Sequence, residues 1–310
     1  MFTLAYCITP LVFDKNLDEI LILVKDNAVV YDLCDGQWSR FLSEKYSGMS
    51  RLKIQKLIAQ LRNKKRLVVV RRFRKEEFRY DEDWCEESLI LSIKPYALDS
   101  IVTTKKTNER FLGYEYVTSI DNALKNIKCK RLSNKIVFGK KSTEYRKHLR
   151  LTFQNSKKII IIDNKLFERL LKGGNSLAKN ITNIIDMSTH VQKKSPTIVK
   201  IHLFIGQTDG EGAENIIRSK FISLQEIISN QNQKKEQLRV EFMLWKELKE
   251  CCLVSDLLNV EMDNGFDFGS KDIKTEWRFL PEERINYLDN IFNHSVEWFC
   301  KETTCKSFLF

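Results

Sequence analysis

Four histidines, His148, His190, His202 and His294, are the side chains of this 310-residue sequence best suited to exchange protons near neutral pH. His148 is the one with chemical company. Arg150 and Asn155 follow it two and seven residues on. His202 sits next to Lys200 inside the alternating segment Thr197 to Phe204 (TIVKIHLF), where a single histidine is usually a satisfied structural group. His190 falls in a polar loop and His294 near the last helix, neither with a partner at useful spacing. Cys251, followed by Cys252 and Leu253, opens an apolar strand and reads as a core thiol rather than a nucleophile. P-loop, GxGxxG, HExxH and EF-hand patterns are missing, and the loop from Gly206 to Gly212 carries two acidic residues that speak against a phosphate cradle.

Eight scattered cysteines with no CxxC pair and no His at metal spacing argue against a zinc site, so no metal and no cofactor is expected, and they fit reduced thiols in a reducing compartment. The N-terminal run MFTLAYCITPLVFDKN meets Asp14 too soon for a secretory or membrane segment. A soluble cytoplasmic protein with no membrane span is the expectation. Hydrophobic residues at 43%, charged residues at 30%, 11 Gly and 4 Pro exclude disordered, collagen-like and low-complexity chains. The length suits two domains.

The formal charge of +11 invites a polyanionic partner. It is unevenly spread. From Gln207 onward 19 acidic residues face 13 basic ones, a balance of −6, so the first 206 residues carry +17. Two blocks dominate: Arg51 to Arg79, with Arg62, Lys64, Lys65, Arg66, Arg71, Arg72 and Arg74, and Lys125 to Lys158, with Lys140, Lys141 and Arg146. These residues are the candidate nucleic-acid contacts.

Elements that would position them can be read from periodicity. Gln37 to Tyr46 is a short helix, Ser47-Gly48 breaks it, and Ser50 caps a second helix to about Arg66 with Ile54, Leu57, Ile58 and Leu61 on one stripe. Leu67 to Val70 is a strand, and Arg71 to Tyr80 continues as a basic hairpin. Helix, turn, helix and hairpin resemble a winged helix, which would lay its second helix in a major groove. A domain boundary is placed at 125/126. Beyond it, Glu144 to Phe153 is a helix, and Ile159 to Ile162 is apolar on both faces and therefore a central strand ending in Asp163. Leu166 to Leu171 is a helix stopped by Gly173-Gly174, Thr197 to Phe204 a strand, Ala213 to Gln231 a helix and Leu238 to Leu244 a strand. The fold class is α/β: a basic N-terminal α+β module followed by a mixed sheet flanked by helices.

This order resembles the phospholipase D-like superfamily, and more closely its single-motif branch, found at the C-termini of MIT-domain proteins and in prokaryotic defence-associated proteins. Ile160-Ile161-Ile162-Asp163-Asn164 partly reproduces the branch's first signature. Leu253-Val254-Ser255-Asp256 and then Val260, Met262, Gly265, Phe266 and Asp267 match the second without a gap. The likeness runs from about Glu144 to Trp298.

The resemblance implies a motif H-x-K-x-x-x-x-D, in which His forms a phosphohistidine, Lys or Arg stabilises charge and Asp supports the site. Ungapped placement puts Lys249 at the His position, Cys251 at the cation position and leaves Asp256. Lysine cannot replace imidazole as nucleophile and leaving group. His148, Arg150 and Asn155 mimic the motif from a helix instead of the family's strand, and Asp163, Asp256, Asp263 and Asp267 would converge if the family geometry held. The resemblance therefore implies a catalytically degenerate protein acting as a nucleic-acid-binding or scaffold subunit of an assembly in antiviral defence, with a homodimer or partner subunit supplying the second lobe. The alternatives are an active nuclease or phosphodiesterase with relocated residues, carried by His148, Lys249 or Asp256, and a winged-helix transcriptional regulator.

Overall fold

The computed structural model describes residues 4–24, 28–64, 66–75, 77–93, 98–131, 135–189, 196–232, 238–269, 273–292 and 305–309. The chain divides into two compact units, Met1–Ser133 and Asn134–Phe310. The first carries 24 Lys and Arg against 18 Asp and Glu, a balance of +6, and the second 28 against 23, a balance of +5. Folding thus combines the basic segment after residue 134 with the acidic segment after 207, and the steep gradient along the sequence becomes two units of similar charge.

In chain order the first unit comprises β1 (Leu4–Ile8), α1 (Leu17–Leu23), β2 (Ala28–Asp32), α2 (Leu33–Lys45), α3 (Gly48–Asn63), β3 (Leu67–Val69), α4 (Asp81–Ile93), β4 (Ser100–Thr103), α5 (Lys105–Arg110), β5 (Val117–Ser119) and α6 (Ile120–Arg131). Its five strands run parallel in the order β3-β2-β1-β4-β5. Nearly continuous apolar runs, LAYCI and AVVYD, form the central strand and one of its two neighbours, as a sheet covered on both faces requires. Ile54, Leu57, Ile58 and Leu61 of α3 are all buried, so the predicted stripe is the packed face. At ~1.5 to 3 kcal/mol for each fully buried aliphatic side chain, that stripe holds the helix.

The hairpin expected from Arg71 to Tyr80 is replaced by something else. β3 pairs in parallel with β2, and the described residues from Val70 to Tyr80 form no strand. The cause lies on α4. The amides of Phe73 and Arg74 donate to the buried Glu87 carboxylate at 2.6 and 3.0 Å, and those of Arg79 and Tyr80 to Asp83 at 2.9 and 2.8 Å. Amides that would have built a hairpin ladder are taken by carboxylates.

The second unit comprises β6 (Lys135–Gly139), α7 (Ser142–Asn155), β7 (Lys158–Asp163), α8 (Leu166–Ile185), β8 (Thr197–Phe204), α9 (Gly210–Lys220), α10 (Ile222–Asn232), β9 (Leu238–Trp245), β10 (Cys251–Ser255), β11 (Asn259–Met262), β12 (Lys274–Phe279), α11 (Glu282–Phe292) and β13 (Cys305–Leu309). Its sheet has the order β13-β9-β8-β7-β10-β11-β12-β6. β7, β8 and β9 are mutually parallel, and the remaining pairings are antiparallel. The mixed α/β architecture follows, with β7 central between β8 and β10. α8 is two helical segments parted at Gly174, whose φ of 58° and ψ of −144° lie outside the helical region and suit glycine, so the predicted stop at Gly173-Gly174 is where the first segment ends and a second runs on to Ile185. The expected helix from Ala213 to Gln231 is two, parted at Phe221. One core beneath the sheet joins Ile160 and Ile162 to Met243, Trp245, Cys252, Val254, Leu288 and Phe292.

Candidate functional site

The carboxyl end of β7, where α/β sheets usually take ligands, is built around Asp163. This side chain is fully buried. Its Oδ2 accepts from the Phe266 amide at 2.8 Å and its Oδ1 from the Lys165 amide at 2.9 Å, with the Arg169 guanidinium 3.9 Å away. Burial pushes the Asp163 carboxyl up, against the two amides and Arg169, which hold it down. Next to it, Cys251 approaches Asn164 Oδ1 at 3.0 Å, and Asn164 Nδ2 donates to the Lys249 carbonyl at 2.8 Å. Burial first, then the neighbouring Asp163, pushes the Cys251 thiol up to about 11, so it is protonated at neutral pH and a poor nucleophile. The cluster braces a turn: it ties β7 to the approach to β10 and to the loop at Gly265.

The three catalytic candidates are not brought together. Lys249 precedes β10 and Asp256 follows it, so the whole of that five-residue strand, roughly 17 Å at ~3.3 Å per residue, lies between them. Asp256 does not support the Asp163 cluster; its Oδ2 accepts from the amides of Lys157 and Lys158 at 2.8 and 3.3 Å, at the opposite end of β7. His148 lies on α7 with its ring 4.7 Å from that of Phe138 and its Nε2 3.8 Å from Glu144. Burial lowers it to about 4, leaving it neutral. His202 is fully buried, accepts from Trp245 Nε1 at 3.0 Å, and is pushed down to about 3 by burial and then by Lys200. His190 and His294 lie outside the described residues. The acidic residues do not converge either. Asp263 accepts from Thr275 Oγ1 at 2.7 Å, and Asp267 pairs with Lys140. Among the described residues no group of three or more His, Cys, Asp or Glu is arranged to hold a metal ion.

Of the basic candidates, the structure separates surface from scaffold. Arg66 is buried and donates to the Val24 carbonyl at 3.1 Å. Lys140 is buried in its pair with Asp267. Arg74 pairs with Glu86 at 2.5 Å and with Asp83 at 3.7 Å. Arg72 donates from Nε to the Arg74 carbonyl at 2.7 Å and lies over the Phe78 ring. These four serve the fold, a role that reading every charge as solvated could not reveal. Exposed are Lys64 and Arg71, together with Arg62, which donates to Ser39 Oγ at 3.0 Å, and on the second unit Lys141 and Arg146. Lys65 lies outside the described residues. The exposed face of α3 adds Arg51 and Lys56, and that of α7 adds Lys147.

Sequence reasoning also missed the switch point of the first sheet, between β1 and β4, where parallel sheets usually take ligands. Here the chain fills it. Asp81, buried at the start of α4, accepts from Thr9 Oγ1 at 2.8 Å, Thr107 Oγ1 at 3.0 Å and the Leu11 amide at 3.0 Å. The turn after β1 reads TPLVFD, without the glycines that let a backbone approach a pyrophosphate. The signal that could have pointed to it is the triplet Asp81-Glu82-Asp83, acidic residues of the kind that favour a helix start. Asp81→Ala leaves two buried hydroxyls and an amide without their acceptor, and we expect a loss of about 2 to 4 kcal/mol in urea-unfolding experiments. A loss under half a kcal/mol would show that the network is dispensable.

No family model matches the chain, and no curated protein matches it. Among solved structures, a similar chain is the archaeal chromatin protein TrmBL2, described as showing a novel mode of DNA binding; it is 11% identical, with 85% of this chain and 86% of that chain covered, at a TM-score of 0.27. Among the described residues no helix is long and apolar enough to cross a membrane.

Proposed function

We propose that this is a catalytically degenerate phospholipase D-like protein that binds nucleic acid and acts as a subunit of a larger assembly, in a setting such as antiviral defence. The observation that carries the reading is at the carboxyl end of β7. Where the resemblance calls for an imidazole and a cation stand Lys249 and Cys251, and the neighbouring Asp163 is committed to backbone amides. The excess positive charge on both units supports a polyanionic partner. Within the first unit, the α2–α3 pair is the remnant of the winged-helix expectation, and α3 with Arg51, Lys56, Arg62 and Lys64 is the element that would approach a groove or backbone. A single lobe of the family type favours a homodimer or a related partner subunit.

The full chain, incubated with single- and double-stranded DNA and RNA with and without divalent cations, is expected to leave all of them intact while binding them in a salt-dependent way. Charge reversal at Arg51, Lys56 and Lys64, or at Arg146 and Lys147, should weaken binding and lower the salt slope by about one for each phosphate no longer neutralised. Cleavage that disappears in His148→Ala or Asp256→Ala would overturn the degenerate reading in favour of a relocated nuclease site. Binding confined to one duplex sequence would favour a regulator.

A further inference from the structure

The first unit has an open groove of about 660 Å³ between α4 and the turn that follows α5, a volume in the range of ligand sites. Leu89, Ile90 and Ile93 of α4 form one wall, and Phe111 and Tyr114 form the other. The two rings pack edge to face at 5.9 Å. Much apolar surface stays in water: Ile93 is 84% exposed, Leu112 75% and Tyr114 55%. Arg74 and Lys75 complete the lining with Glu86.

Charge decides the kind of occupant. α4 is rich in carboxylates, yet each is spent within the unit. Asp81 serves Thr9, Thr107 and the Leu11 amide; Glu82 pairs with Arg110 at 2.8 Å; Asp83 serves the amides of Arg79 and Tyr80; Glu86 pairs with Arg74 at 2.5 Å; and Glu87 serves the amides of Phe73 and Arg74. Lys75, by contrast, is exposed and pairs with no carboxylate among the described residues. With Arg74 and Glu86 paired to each other, Lys75 is the charge that the lining presents to a ligand, and the walls are aromatic and aliphatic. Flat, apolar-faced groups strung on a polyanion fit that pairing, because every base offers a face to stack and every linkage a phosphate to neutralise.

We propose that this groove receives the bases of a single-stranded nucleic acid, stacked against Tyr114 and Phe111, with Lys75 on a phosphate. The proposal rests on the nucleic-acid-binding reading above and narrows it to single strands at a named surface. A duplex keeps its bases stacked inside and cannot offer them to the groove.

The test is fluorescence anisotropy on the full chain with a fluorescein-labelled oligothymidine and a duplex of the same length, each at two salt concentrations. Tyr114→Ala is expected to weaken oligothymidine binding roughly tenfold or more, the loss of one base stack. Tyr114→Phe should keep wild-type affinity, and duplex binding should be unchanged in both variants. Lys75→Glu should weaken oligothymidine binding and lessen its salt dependence. Because Tyr114 is exposed, both variants should fold, which circular dichroism checks. Wild-type affinity in Tyr114→Ala would overturn this proposal while leaving the α3 and α7 surfaces standing. Failure of the wild-type chain to bind either probe would overturn the broader reading as well.

Discussion

Gly265→Ala is expected to destabilise the second unit by about 4 kcal/mol or more, from two separate costs. Gly265 has a φ of 59°, a region that costs a residue with a Cβ about 1 to 2 kcal/mol. Its Cβ would also fall 2.1 Å from Asp163 Oδ2, inside any tolerable contact. Asp163 cannot swing away without releasing the Phe266 and Lys165 amides, and each buried group left unpaired costs ~1 to 3 kcal/mol. Thermal unfolding should register this as a fall of roughly 10 °C, at 2 to 4 °C per kcal/mol for a domain of this size. Gly48→Ala is the matched control. Gly48 has a φ of 57° with nothing within 4 Å of its would-be Cβ, so only the backbone cost of about 1 kcal/mol applies. Equal losses in the two variants would mean that the Asp163 contact is not what makes glycine necessary.

The second large effect is an acid limb of stability set by His202. Burial holds this imidazole down to about 3, against 6.5 in the open chain. Below pH 6.5 the unfolded chain takes up a proton that the folded chain refuses. Stability is therefore lost progressively as pH falls from about 6.5 toward 3 and levels off below. At 1.36 kcal/mol per pH unit the full loss is on the order of 5 kcal/mol, and His148, held at about 4, adds a smaller loss over a narrower window. Asp32, Asp81 and Asp163 are pushed up by burial and act in the opposite sense: the stability they contribute is fully present below about pH 3.8 and is lost as pH rises through their raised values. The histidine part is isolated by comparison. His202→Gln keeps an acceptor for Trp245 Nε1 but cannot titrate, so urea-unfolding free energies measured from pH 7 to pH 4 should fall less steeply in the variant. Parallel curves for variant and wild type would show that His202 does not govern the limb.

Much of this architecture is readable from local pattern. The four consecutive isoleucines before Asp163 can only suit a strand covered on both faces, and β7 is that strand. The stripe on α3 is equally plain, since 3.6-residue periodicity reports directly on a buried helix face. What stays hidden depends on partners distant in sequence. LAYCI and AVVYD are too short for periodicity to reveal that they pair in parallel. The RRFRKEEFRY segment reads as a hairpin until Glu87 and Asp83, on the next helix, are seen to claim its amides. The same limit applies to the site: Asp163 is visible as an acid at a strand end, but its function as a brace depends on amides at Lys165 and Phe266 and on a glycine that leaves it room.

The bond from the Phe266 amide to Asp163 spans 103 residues, and this has a bearing on synthesis. At about 5 to 20 residues per second, the ribosome delivers the partner of a newly made Asp163 only after roughly 5 to 20 seconds. For that interval the most apolar strand of the unit lacks the antiparallel neighbour that will cover it on one edge, β10. The nascent chain thus presents an open strand edge well before β10 can close it.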